Sequence, residues 1–214
     1  MQPASDRRAT ATIEFAFWLP IVLLLMLCTV DVVELLRKKE RVESATMQLG
    51  QLVSQCNDIT TADVSQFWVY AQRLIDGVST VGTGGTGAVV ISAVYSSNGV
   101  NRVAWQARSG SAAFTSRIGT TAGGSATLAG GLVVPASQTL FTVEYFVRGD
   151  PWFLSKNLLT LRQPKYDAAG QATVTSMLAD LGDMSSTVSL LSRSPSAVRL
   201  QTLPRTSPSL VCTA

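Results

Sequence analysis

Histidine is missing altogether from these 214 residues. That removes the commonest ligand of zinc and haem sites and the commonest general base at neutral pH. Cysteine is scarce, and Cys28, Cys56 and Cys212 stand at spacings that match no metal motif. Charge is thin as well. The formal net charge of +3 comes from scattered basic residues, without the aromatic-basic interleaving of nucleic-acid binders. Ser/His/Asp, Cys/His and G-x-S-x-G arrangements are absent. No cofactor, metal or nucleic acid is therefore expected. Enzyme chemistry would fall to carboxylates such as Asp63, Glu144 and Asp150, whose usual place at strand and helix edges is a solvated one.

Charge is absent again from Phe15 to Val30, a stretch that as an α-helix rises roughly 24 Å. With Ile13, Glu14 and the mostly apolar residues 31–36, it is long enough to cross a hydrocarbon core of about 30 Å. A secretory signal peptide would end in a small-x-small cleavage site. The chain continues instead as Asp31-Val32-Val33-Glu34-Leu35-Leu36-Arg37-Lys38-Lys39, so a retained anchor over residues 10–36 is expected rather than a removed signal. Glu14 stands at the mouth of this segment, where an ionised side chain is costly without a partner and marks a functional position.

Leu35, Val42, Ala45, Leu49, Leu52 and Cys56 recur at steps of seven, three and four, a narrow helical seam. No Gly or Pro interrupts Ile21 to Gln48. One helix is therefore predicted from about Ile13 to about Cys56, apolar on every side at first and amphipathic over residues 37–57. The alternative is an anchor followed by an unrelated amphipathic helix. Pro20 lies inside the apolar part, where it removes a hydrogen-bond donor.

Further along, Thr60-Thr61-Ala62-Asp63 reads as a helix start, with Phe67, Tyr70, Ala71, Leu74 and Ile75 at helical spacing behind it. Gly82-Thr83-Gly84-Gly85-Thr86-Gly87 formally satisfies G-x-G-x-x-G. It follows a helix and precedes a strand, the reverse of a dinucleotide fingerprint, so it is a linker. Ala88–Tyr95 and Val100–Ala107 flank Asn98-Gly99 as a hairpin, and Thr139–Val147 alternates as a third strand. The stretch Ser109–Gly131 between them is a long Gly/Ser/Thr-rich surface connection. An α+β class results, with a small antiparallel sheet packed on the long helix.

The domain is placed at residues 58–165. Pro151-Trp152-Phe153-Leu154 with Leu158-Leu159 suggests a short packed segment. Residues 166–214 form a tail that turns Ser/Thr/Pro-rich from about Ser185, a composition of disorder; a shifted reading frame would give the same impression. Outside the cytoplasm, Cys56 and Cys212 could form a disulfide, the alternative being buried or merely tolerated thiols.

Arg7-Arg8-Ala9-Thr10-Ala11-Thr12-Ile13-Glu14-Phe15-Ala16, with Leu19-Pro20 and a Leu-rich run closing on Val30-Asp31, resembles the start of the TadE/TadF-like minor pseudopilins of tight-adherence (Flp-type, type IVc) pili. The likeness continues through Gln51–Gln55, Ile59–Asp63, Trp105-Gln106, Ser116–Gly119 and Phe141–Phe146. It implies a pilin-like fold and a basic leader, residues 1–9, removed by a prepilin peptidase between Ala9 and Thr10, although the family usually has Gly where this chain has Ala9. It also implies that Glu14, Phe15 and Pro20 serve assembly with other pilin or pseudopilin subunits in a bacterial inner membrane. The head is then cytoplasmic and the domain periplasmic or extracellular. The positive-inside rule, applied to Arg37, Lys38, Lys39 and Arg41, points the other way; Glu34, Glu40 and Glu43 accompany that cluster as expected helix pairs. A membrane-anchored adhesin or binding module, signalled by the Ser109–Gly131 loop, and a tethered envelope enzyme are the other readings.

Overall fold

In a computed structural model the described residues are 5–82, 84–148, 162–166, 172–176, 183–194, 197–202, 204 and 212. The segment Pro151–Leu154 with Leu158-Leu159, and Asp150, lie outside them. The elements are α1 (Ser5–Ser54), α2 (Thr61–Leu74), β1 (Gly87–Ser97), β2 (Val100–Gly110), β3 (Thr139–Val147), β4 (Arg162–Tyr166), β5 (Ala172–Ser176) and β6 (Met184–Leu191). The class is α+β. The chain divides into two compact units, residues 1–37 with 150–182 and residues 38–149 with 183–214. The first holds the early part of α1 and the antiparallel pair β4 and β5.

The second unit is built on an antiparallel sheet in the order β2-β1-β3-β6. Its central strands are buried on both faces. Toward the helices, Val89, Ile91 and Ala93 of β1, Trp105 of β2 and Phe141, Val143, Tyr145 and Val147 of β3 form one core with Val42, Ala45, Leu49 and Val53 of α1, Cys56 just past its end, and Phe67 and Ala71 of α2. The α1 stripe repeats at three and four residues, the helical period that puts side chains on one face. It tracks the seam read from the sequence, with Val53 the fully buried residue and Leu52 beside it half-buried.

Two local devices set the frame. At Asn98 and Gly99, φ is +53° and +76°, the left-handed pair that a two-residue hairpin turn needs, and the register Ser97↔Val100 closes it. At Thr60 the hydroxyl accepts from the Asp63 N–H at 3.2 Å while the Asp63 carboxylate accepts from the Thr60 N–H at 2.8 Å, a capping box that starts α2.

The opposite face of the sheet is covered by the long connection after β2. Ile118, Leu128 and Val134 pack on Val94, Val103 and Leu140, and Phe114 stacks on Phe146 with centroids 5.4 Å apart. A chain rich in Gly, Ser and Thr thus closes a core with a few well-spaced apolar side chains.

The region expected to be a disordered tail contributes the fourth strand instead. β6 pairs with β3 from Leu140↔Leu191 to Val147↔Met184, Leu200 is buried, and Cys212 packs against the same core. Two long-range constraints explain this. The buried Trp105 indole needs an acceptor, and its N–H donates to the Leu200 carbonyl at 2.7 Å. β3, without β6, would expose a row of unpaired backbone groups.

At Gly50, α1 lies close against β6: a Cβ there would sit 2.7 Å from Val188 Cγ1 and 3.2 Å from Leu190 Cδ1. Glycine in a helix interior costs about 1 kcal/mol against alanine, so its presence reflects packing. Gly50→Leu improves helix propensity yet is expected to lower unfolding free energy by about 1–3 kcal/mol through overpacking. Denaturant titration of the full chain in detergent checks the sign.

Candidate membrane and assembly segment

Residues Ile13–Ser54 of α1 contain a stretch long and apolar enough to span a membrane. Its side chains face outward around the whole circumference: Phe15, Phe17 and Trp18 are 66%, 73% and 64% exposed, and Ile21 to Met26 are also exposed. An apolar helix exposed in this way is out of place in water, whereas in hydrocarbon no such penalty exists. Thr29, the one hydroxyl of this run, donates to the Leu25 carbonyl at 2.8 Å, which keeps its polar group inside the helix.

The sequence-predicted residues fall along this one helix. Ala9 and Thr10 lie in its first turns, Glu14 comes next and is exposed, Phe15 is exposed beside it, and Pro20 sits in the helix interior without ending it. Proline offers no N–H to the carbonyl four residues before, that of Ala16, so a local loosening is built in. Where the helix leaves the apolar run, Arg37 pairs with Glu34 at 3.2 Å and Lys39 with Glu43 at 3.9 Å. Both pairs are exposed and contribute little to stability. They do lower the net positive character of the basic cluster.

One contact there was not legible in the sequence. The Arg41 guanidinium donates to the Leu74 carbonyl at 3.2 Å, so a cation from α1 serves one of the free carbonyls at the end of α2. The expected seam gave no signal for it, because Arg41 read as part of a charged run.

At the far end of α1, Cys56 and Cys212 are joined in a disulfide, with Cα atoms 4.8 Å apart across a sequence separation of 156. The Cys212 N–H donates to Asp63 at 3.1 Å. One carboxylate therefore both caps α2 and holds the tail. Cys28 is free. The expectation that Asp63 and Glu144 are solvated is overturned: Asp63 is buried, and Glu144 is fully buried in β3. Glu144 accepts from the Ser116 hydroxyl and from the Arg117 N–H at 2.9 Å. Its carboxylate pins the long connection onto the sheet, since a buried charge is tolerated where hydrogen-bond donors meet it. Above it, Arg117 lies over the Phe146 ring and Arg148 over Phe114, at 5.9 Å and 5.6 Å.

Burial pushes the Tyr145 phenol above its ordinary pKa, and its O–H donates to the Ala71 carbonyl at 3.3 Å. Among the described residues, no group of three or more His, Cys, Asp or Glu is placed to hold a metal ion.

Closing so long a loop constrains the unfolded chain strongly, by the chain-entropy model at the upper end of the usual range of about 2–5 kcal/mol. Cys212→Ser and Cys56→Ser should each lower the unfolding free energy by that amount, and the double variant by no more than either. Cys28→Ser should leave it unchanged. Denaturant titration under non-reducing conditions reads all four.

Comparison with protein-family models, with curated proteins and with solved structures finds no match to this chain.

Proposed function

We propose that this chain is a minor pilin-like subunit, a pseudopilin, for the assembly of tight-adherence type IVc pili. In this reading it is held in a bacterial inner membrane by α1, with its head in the cytoplasm and its domain on the periplasmic side, open to incorporation in the pilus. The observation that carries the proposal is a single unbroken 50-residue helix in which the apolar stretch from Phe15 to Met26 is exposed and the part after Arg41 is buried along one stripe. Such a helix serves two environments, hydrocarbon or a bundle of like helices first, and the chain's own sheet second.

Two further features support it. Glu14 stands near the helix entrance, preceded by a basic head that contains Arg7 and Arg8. Cutting between Ala9 and Thr10 replaces two permanent guanidinium charges by one α-amino group with a pKa of about 7.7–8.0. That amine, from the same chain or a neighbour, is the natural partner of the Glu14 carboxylate at membrane depth. The pair then sets the register between helices. Second, a Cys56–Cys212 disulfide belongs in an oxidising compartment. This weighs against the cytoplasmic placement that the basic residues Arg37 to Arg41 would suggest.

The partners on this reading are a prepilin peptidase, other pilin subunits, the assembly machinery and the membrane, with no nucleic acid. The test is made in the source bacterium, with and without its prepilin peptidase. N-terminal sequencing of the membrane-extracted protein should give a chain starting at Thr10 only when the peptidase is present. Glu14→Ala should remain folded and membrane-bound yet fail to support piliation. A chain starting at Met1 in both strains, or normal pili with Glu14→Ala, refutes the reading; a chain starting after Val30 refutes the anchor itself.

A further inference from the structure

The two edges of the sheet are protected very differently. Along β2, the connection supplies backbone partners: Gly123 N–H to the Val103 carbonyl at 2.7 Å, Val103 N–H to Gly124 at 3.0 Å and Ala126 N–H to Asn101 at 2.9 Å. β2 also carries the exposed cations Arg102 and Arg108, and the register between β1 and β2 shifts at Ala93/Val94. Charge, irregularity and a covering segment are the usual means of blunting an edge.

β6 has none of these. Met184–Leu191 contains no charge, no proline and no glycine, and it pairs with β3 in regular register throughout. Among the described residues, no strand pairs with its outer edge; just past its end, the Arg193 N–H donates to the Ser54 carbonyl at 2.9 Å, which ties that end of the edge to α1. Ser185, Thr187, Ser189 and Leu191 are exposed along one of its faces. An uncharged eight-residue edge of this kind is a template for a further strand.

The charges just beyond the strand indicate which one. Asp183 precedes β6 and Arg193 lies past its end, and both are exposed. An acid at one end and a base at the other are complementary to the same strand reversed. With Val188 opposite its own symmetry mate, an antiparallel copy sets Thr187 against Ser189 twice and brings the Asp183 side chain toward that of Arg193 at both ends, the Arg193 backbone staying on Ser54. Directly opposed Ser and Thr side chains hydrogen-bond across strands; the Ser189 hydroxyl already shares one bond with Thr142 at 3.0 Å, and a hydroxyl has capacity for a second. A parallel copy would oppose like charges.

We infer that β6 is the docking edge for β6 of a second copy of this chain, paired antiparallel about Val188 as a two-fold dimer with one continuous sheet. The contact is isologous, so it closes at two copies. The end charges fix register and exclude the parallel arrangement more than they add affinity. In the free chain Asp183 lies 3.7 Å from Arg148, an exposed pair that is weak enough to be exchanged. The inference does not rest on the pilus reading and stands or falls without it.

The experiment uses the full chain in native membranes, with Cys28 replaced by Ser and two differently tagged copies co-expressed, one Thr187→Cys and the other Ser189→Cys. Mild oxidation should give a mixed disulfide dimer in clear excess over either homodimer. Arg193→Glu in both copies should cut that yield about tenfold, because two attractions become two repulsions. Combining Asp183→Arg with Arg193→Asp should restore it, which a variant that merely misfolds would not do. No mixed dimer, a Thr187→Cys homodimer in excess, or a yield indifferent to the charge changes would overturn the inference. N-terminal processing is read separately in the same membranes, so failure here and failure of the pseudopilin reading are distinguishable.

Discussion

Everything in the second unit depends on the packing of one stripe, Val42, Ala45, Leu49 and Val53 of α1 with Cys56 just past its end, into the core that the sheet and α2 share. Each of these side chains is at most 1% exposed, and burying a residue of the size of Val or Leu stabilises by about 1.5–3 kcal/mol. The stripe therefore supplies a large part of a domain's net stability, which is only about 5–15 kcal/mol.

The sheet in turn needs both of its faces covered. Helices do this on one side by regular periodicity. On the other side an irregular connection does it with a few apolar side chains, a Phe114–Phe146 stack and the buried carboxylate of Glu144. That carboxylate orders Ser116 and Arg117, and Ile118 beside them then enters the core. A residue read as a possible acid or base is thus a structural acceptor, and its chemistry is spent on holding the connection.

How much of this was legible depends on the range of the interactions. The unbroken helix, the Thr60 and Asp63 cap, the Asn98-Gly99 hairpin and the two-sided alternation of β3 were readable because each is encoded within a few residues. β6 was not. Its Ser185, Thr187 and Ser189 lie on the exposed face, so its composition resembles a disordered segment, and only its pairing with β3 about forty residues upstream reveals a strand. Glu144 read as solvated because its donors lie 28 and 27 residues away in a low-complexity stretch. Cys56 and Cys212 read as an open choice because no spacing fixes a contact across 156 residues. For the membrane segment, composition made the span legible.

Redox compartment joins the two halves of the molecule. The domain closes with a disulfide at the end of the same helix whose apolar part spans a bilayer in length and composition. If α1 crosses the inner membrane with its head inside, Cys56 and Cys212 lie where thiols are oxidised. The most direct measurement is thiol trapping in intact cells with a membrane-permeant alkylating agent, followed by intact mass of the denatured, non-reduced protein. One label, on Cys28, is the predicted result, rising to three after reduction. Three labels without reduction would place the domain in the cytoplasm and contradict the anchored, outward-facing arrangement.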